Sequence, residues 1–462
     1  MKYYTEPEKN IPVLETDILV AGAGTAGCMA AIAAARQGAK VVLVEKLPVP
    51  CGTIGNGGNS LYSFYNASYD PETAVRIVGG LPYEFVGRCI EEGACAGILP
   101  TPGDAHANPF TIIPNREGVK GVLCLMLREA GVKVMLQTML VGTVSEEGKV
   151  RMALIENKDG RRAVEAKVFI DCSGDADLAK SAGAGIVSNW EIYDRVCGAP
   201  TSLPFGMGGI DFEKALREAP EVIRKREISS EEGKYLSKYK ITHTNNPEMC
   251  KDMCKLDIRH FTNITSLREG EATSMNNSKG SMTDASSAEN LSKAEMDQRI
   301  KVMRLANAIR KDIPGFENAH LIWAALQLGI RSSRIVECDK MLTEPEVTGA
   351  ARFEDEIGLY GFQDMVEKDP STRIHDPGYY GLPYRMLLPK GIDNLYVAGR
   401  CVTRDLMAHN STRNTVSCMI MGQAAGTAAA LCAEKDCTTR QLPYGMLREA
   451  LLKQEVILEA GK

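Results

Sequence analysis

The stretch Asp17-Ile-Leu-Val-Ala-Gly-Ala-Gly-Thr-Ala-Gly27 decides how this chain is read. Its apolar residues 18–20 form a short run of the kind found in parallel strands buried on both faces. A glycine turn follows, Gly22-x-Gly24-x-x-Gly27, and then an alanine-rich stretch over residues 26–37 that reads as a helix stopped by Gly38. Val41-Val-Leu-Val44 reads as a second buried strand, and Glu45 ends it. In such a unit Gly22 makes the tight turn and Gly24 lets a pyrophosphate approach the backbone. Gly27 lets the helix pack closely on the sheet. N–H groups at the helix start face the phosphates. Glu45, 18 residues after Gly27, stands where a carboxylate accepts hydrogen bonds from a ribose. The glycines alone are weak evidence. Strand, turn, helix, strand and acid in register predict a dinucleotide-binding βαβ unit.

The rest of the composition sets bounds. A chain of 462 residues can hold two or three domains and a large core. Its 44% hydrophobic and 24% charged content is that of an ordinary globular protein. A net charge of −5 without a long basic run points away from nucleic acid and from anionic membrane surfaces. The first ten residues are polar and charged, so no signal peptide is expected there. No apolar stretch is expected to reach the roughly 20 residues of a membrane span. The 14 cysteines are scattered and read as thiols, most of them small buried hydrophobes, in a protein expected in the cytoplasm.

After Glu45 and Lys46 comes a glycine-dense loop, residues 48–59, with Cys51 and Gly52 in it; its position suggests backbone wrapped around the ligand. The segment 119–130 reads as an amphipathic helix, and strands with hairpin turns follow at 146–149 and 157–160. The run 168–175 reads as a strand returning to the nucleotide sheet. From about Trp190 to Pro377, 188 residues, the composition shifts; 213–240 reads as a charged helix and 293–311 as a long one. This is too much chain for a loop and is expected to be an inserted second domain. Residues 391–400 then read as a strand ending in glycine. Residues 410–414 read as the start of a helix that runs through 430 with a face of small residues.

These motifs together resemble the FAD-dependent oxidoreductases of the glutathione-reductase-like flavoprotein superfamily. The nearest branch is the one whose nucleotide domain is shared with heterodisulfide reductase. The resemblance covers about residues 17–434. It rests on GAGTAG at 22–27, Glu45, FIDCSGDADLAK at 169–180, PGFENAHL at 314–321 and LGIRSSRIVECDKMLTEPEV at 328–347. LPYRMLLPKGIDNLYVAGR at 382–400 and STRNTVSCMIMGQAAGTAA at 411–429 complete it. It implies an α/β fold: a discontinuous Rossmann-like FAD-binding domain (1–189 and 381–437), an inserted α+β substrate domain (190–380) and a helical tail (438–462). It implies non-covalent FAD. Gly22, Gly24, Ala26, Gly27, Glu45 and Lys46 would hold the ADP half, with Cys51 and Gly52 in the cradle. Asp171, Gly174 and Asp175 would lie near the pyrophosphate or adenosine. Gly399, Arg400 and Asn414 would meet the flavin end, where a cation and a helix N-terminus suit the charge of reduced flavin. The chain departs from these relatives too. It has no second GxGxxG for a nicotinamide coenzyme, no CxxxxC at Cys51 and no iron–sulfur motif.

Flavin chemistry needs a group that manages a proton and groups that orient the substrate. His409, one of six histidines, is the candidate acid or base. Arg413 is a candidate flavin or substrate-anion contact. Arg331 and Arg334 are candidates either to bind a substrate carboxylate or to tie the two domains together. His106 and Cys401 are secondary candidates. The expected function is hydride transfer between a small organic substrate and FAD, as a dehydrogenase or a reductase of an activated alkene. The alternative is an electron-transfer subunit passing electrons to a partner protein. A homo-oligomer is compatible with either.

Overall fold

The computed structural model describes residues 2–57, 61–62, 66–67, 74–95, 97–100, 110–112, 115–188, 201–225, 237–241, 246–256, 258, 264–265, 269–276, 278, 280, 283–362 and 374–460. Its main sheet has seven strands. Five are parallel, in the order Lys133–Met135, Val41–Val44, Val13–Ala21, Gly160–Asp171 and Leu395–Val397. The antiparallel hairpin Met139–Glu146 and Lys149–Asn157 extends it beside the first half of Gly160–Asp171. Register brings the strand ends level: Val44 lies beside Ala21, Ala21 beside Asp171, and Asp171 beside Val397. The glycine turn, Glu45, the 172–175 turn and the Gly399 turn thus share one carboxyl edge, the place where open α/β sheets take their ligands.

Two helices are pressed together on this sheet. Thr25–Arg36 follows the glycine turn, and the 21-residue helix Thr415–Lys435 crosses it. A Cβ on Gly422 would stand 2.1 Å from the Ala26 carbonyl oxygen, and one on Gly426 2.1 Å from that of Ala30. The four-residue spacing on both helices is one turn, so the small face is a backbone-to-backbone seam. The expectation that no apolar stretch reaches span length is corrected here. Thr415–Lys435 is long and apolar enough, at a mean hydropathy of 1.5. Yet 94% of that window is buried, as in the core helix of a globular fold.

A second buried cluster runs from Leu203 to Leu328. Its four-stranded antiparallel sheet has the order Ile264–Thr265, Glu271–Met275, Phe205–Gly208, His320–Ala324. The helix Ala288–Asp312, expected over 293–311, packs there through Val302, Leu305 and Ile309. The charged helix expected over 213–240 is shorter: Phe212–Glu218 is helical, and Ile223–Lys225 then pairs as a strand with Tyr239–Ile241. High charge favoured neither state, and the apolar Ile223, Tyr239 and Ile241 are drawn into the core instead. Val336, Cys338, Leu342 and the strands Glu356–Tyr360 and Tyr380–Pro383 pack in the first cluster. The described residues of the segment expected as one insertion, 190–380, are therefore divided between both clusters. The tail helix Tyr444–Lys453 buries Leu447 and Leu451 in the first. Every described cysteine is a free thiol.

Candidate cofactor and substrate site

The glycine turn is built from its own backbone. A Cβ on Gly27 would lie 1.8 Å from the Gly22 carbonyl oxygen, so only glycine lets the helix start where it does. Gly24 differs: a Cβ there meets no atom within 4 Å. The space outside Gly24 is the room a pyrophosphate needs against the backbone. Neither helix that starts at this edge has a side-chain cap. Gly24 supplies none to Thr25–Arg36, and the Asn414 amide turns back to the Asn410 and Ser411 carbonyls. Both sets of first-turn N–H groups are left to a ligand's oxygens.

Glu45 is buried and clasps the turn, accepting from Ala23 N at 2.7 Å and Leu47 N at 2.9 Å. A carboxylate has about four acceptor sites, so capacity remains for ribose hydroxyls. Cys51 N donates to the Ala23 carbonyl at 2.8 Å, and a Cβ on Gly52 would lie 2.8 Å from Gly24 Cα. The short helix Gly52–Gly55 is thus stacked on the turn. Burial pushes the Cys51 thiol up to about 12, which makes it a packed, unreactive group. Cys401 is fully buried and its thiol is raised by burial in the same way. Residues 58–59 of the loop, Trp190 and His106 lie outside the described residues.

Several residues expected to touch the ligand are instead committed to the protein. Asp171 accepts from Ser173 N, Ser173 Oγ and Ala179 N at 2.7–2.9 Å and so shapes the 173–179 turn. Its carboxyl is pushed up to about 6 by burial, against those hydrogen bonds. Arg400 donates through Nε to the Gly174 carbonyl at 3.0 Å, through Nη2 to Asp175 at 2.7 Å, and through Nη1 to the Ile330 carbonyl. All three faces of its guanidinium are occupied, so it ties the 174–175 turn to residue 330. Asp175 also accepts from Ser333 Oγ at 2.6 Å and lies 3.7 Å from Lys46. Burial alone would raise its pKa; the charges of Arg400 and Lys46 and the Ser333 hydroxyl hold it below the usual value. Arg334 donates to Asp177 at 2.9 Å, to the Asp175 carbonyl at 3.1 Å and to the Ser286 carbonyl at 3.1 Å. Of its two readings, substrate carboxylate or domain tie, the geometry is that of the tie.

His409, Arg413 and Arg331 are brought together. His409 lies in the helix Leu406–Thr412, 2% exposed, with Nε2 3.1 Å from the Arg331 carbonyl oxygen. A carbonyl only accepts, so Nε2 carries the ring proton. Burial, then the charges of Arg404 and Arg413, hold the imidazole well below its ordinary pKa, so the ring is neutral. His409 thus holds the Arg331 backbone, with its ring proton on that carbonyl. Arg413 N donates to the His409 carbonyl at 3.0 Å, at the junction with Thr415–Lys435. The Arg331 guanidinium has no hydrogen-bond or ion-pair partner among the described residues.

One contributor escaped the sequence reading. Arg404 is 1% exposed and donates to the Val402 carbonyl at 3.0 Å, to Thr412 Oγ1 and to the Gly399 carbonyl. Its signal was an arginine four residues past Arg400, close behind a buried apolar strand, a place where a cation is costly unless its donors are met.

The family model described as FAD dependent oxidoreductase matches residues 17–451. Two curated relatives align over part of the chain. A digeranylgeranylglycerophospholipid reductase of Methanosphaerula palustris is 30% identical over 199 residues, 41% of this chain and 43% of that protein. Digeranylgeranylglycerophospholipid reductase 2 of Methanopyrus kandleri is 28% identical over 210 residues, 44% of this chain and 47% of that protein. The alignments thus span about half the length of these relatives. Among solved structures, a geranylgeranyl bacteriochlorophyll reductase-like protein of Thermoplasma acidophilum superposes with a TM-score of 0.42 at 14% identity, over 96% of this chain and 85% of that one. The p-nitrophenol 4-monooxygenase PnpA of Pseudomonas putida superposes with a TM-score of 0.48 at 11% identity, over 96% and 87%. With the family matched over nearly its whole length and a glycine turn that has room for a pyrophosphate, the chain belongs to the FAD dependent oxidoreductase family, and FAD is its cofactor.

Proposed function

We propose that the protein transfers a hydride between FAD and a small organic substrate carrying a carbonyl or carboxylate, in the manner of an activated-alkene reductase or the reverse dehydrogenase. The observation that carries this reading is the segment 329–334, where the second cluster returns to the first. Gly329 N bonds the Ser202 carbonyl at 2.7 Å, Arg400 holds the Ile330 carbonyl, and His409 holds that of Arg331. The segment is fixed at the cofactor edge while the Arg331 side chain stays uncommitted among the described residues.

Bound FAD supplies the two-electron chemistry. The chain's part is to bind and orient. Arg331 attracts a carbonyl or carboxylate oxygen and stabilises negative charge growing on it. His409 keeps the Arg331 backbone in place without adding charge of its own. The second cluster, with its helix Ala288–Asp312, is suited to cover the substrate and exclude water. The names of the two curated relatives are those of reductases, which favours the reducing direction.

The test is anaerobic. Photoreduced protein is mixed with a panel of α,β-unsaturated acids, aldehydes and ketones, and oxidised protein with their saturated counterparts. At least one pair should exchange electrons stoichiometrically, and saturated compound deuterated at the reacting carbon should reduce the bound flavin more slowly than unlabelled compound. If no panel member reacts while a ferredoxin or flavodoxin does, the electron-transfer subunit is the correct reading.

A further inference from the structure

Asn56 closes the helix Gly52–Gly55 that is stacked on the glycine turn. It is 1% exposed. Its Nδ2 donates to the Val49 carbonyl at 3.2 Å and to the Pro50 carbonyl at 3.5 Å. Only the nitrogen of the amide can face two carbonyls, so its orientation is fixed. The oxygen must then point elsewhere, and Oδ1 is buried without a hydrogen-bond partner among the described residues. The residue is also held from behind, since Leu326 N donates to its backbone carbonyl at 2.8 Å.

A buried acceptor without a donor is unfavourable, and in native proteins such groups are met by another part of the protein, by water or by a ligand. The helix that ends at Asn56 leans on Gly24, whose outer side is open for at least 4 Å. We propose that Asn56 is a cofactor-binding residue: its side-chain oxygen accepts a hydrogen bond from an N–H or O–H group of FAD. FAD offers such donors along its length, in the flavin imide, the ribityl and ribose hydroxyls and the adenine amine. The role is one of binding, so it holds for either reaction direction and does not depend on the substrate proposed above.

The test uses Asn56→Leu, similar in size and unable to accept. FAD is stripped from wild type and variant, and the dissociation constant is measured by fluorescence titration. Loss of one buried hydrogen bond should raise it about 5- to 100-fold. Melting temperatures are taken with and without FAD. The holoprotein should fall further than the apoprotein, because the missing contact exists only when FAD is bound. An unchanged dissociation constant overturns the proposal, as do equal falls in both forms, which mark a purely structural amide satisfied by water. Should Asn56→Leu fail to fold, Asn56→Ser is measured in the same way; its shorter hydroxyl cannot span the position of Oδ1, and the same outcomes decide.

Discussion

The two buried clusters are held together in different ways. In the first, backbone meets backbone: Gly27 against the Gly22 carbonyl, Gly422 against that of Ala26, Gly426 against that of Ala30. In the second, side chains interdigitate between an antiparallel sheet and one face of Ala288–Asp312, through Phe205, Met275, Leu305 and Phe316. Backbone seams tolerate no Cβ, so they confine the sequence to named residue types. Side-chain packing accepts many apolar combinations of the right volume. The glycine seams are therefore strongly prescribed, and the second cluster is free to vary in sequence.

The largest effect should come from closing a seam. Gly426→Val puts a branched side chain where the Ala30 carbonyl stands, 2.1 Å from the Cβ, and should exceed the roughly 1–3 kcal/mol of ordinary overpacking. Loss of soluble protein or a collapse of the urea midpoint is expected. A variant as stable as wild type would mean that the two helices do not touch as described.

Gly24→Val separates fold from cofactor. Its Cβ meets nothing within 4 Å, so far-UV circular dichroism and apoprotein melting should be unchanged while FAD is lost from the purified protein. Stoichiometric FAD in a folded variant would put the pyrophosphate elsewhere.

Arg334→Met addresses the link between the clusters. Three hydrogen bonds, one to Asp177, are removed from a side chain that is 15% exposed. A loss of about 1–3 kcal/mol is expected, with FAD retained. Unchanged stability together with a raised substrate KM would return Arg334 to the substrate site.

The smallest effect is in pH dependence. His409 is neutral when folded, with its pKa well below the ordinary 6.5. The unfolded chain binds a proton there below that pH and the folded protein does not. The stability this ring contributes is present above pH 6.5 and is lost as pH falls below it, by up to about 1.4 kcal/mol per pH unit. Urea unfolding of wild type and His409→Gln from pH 7.5 to 5 should show the steeper decline in wild type. Parallel curves would mean that the ring charges freely in the folded protein.

The contrast between the clusters also explains what could be read in advance. Gly22, Gly24, Gly27 and Glu45 announced themselves because their spacing is set by backbone geometry within 30 residues of chain. The small face of Thr415–Lys435 was visible for the same reason, although its partner helix was not. The charged stretch after Glu213 was misjudged because charge carries little information on helix against strand. Whether Ile223, Tyr239 and Ile241 enter a core depends on what they meet. Arginines were the hardest to assign. Arg331, Arg334, Arg400 and Arg404 look alike in sequence, yet three are spent on carbonyls, a hydroxyl or carboxylates and one is not.

By itself, the sequence determined the parallel nucleotide-binding unit, the acid that ends its second strand and the return of the chain to that sheet near residue 395. Each is a local pattern in which one residue type alone satisfies the backbone. Only the tertiary structure decided that His409 is neutral, that Arg400 and Arg334 are ties, that Asn56 has an oxygen to offer and that Val336, Cys338, Leu342 and the strand Glu356–Tyr360 pack with the first cluster. A side chain's charge state and its free donors and acceptors depend on groups brought close from tens or hundreds of residues away. That proximity is created by folding and has no local pattern to announce it.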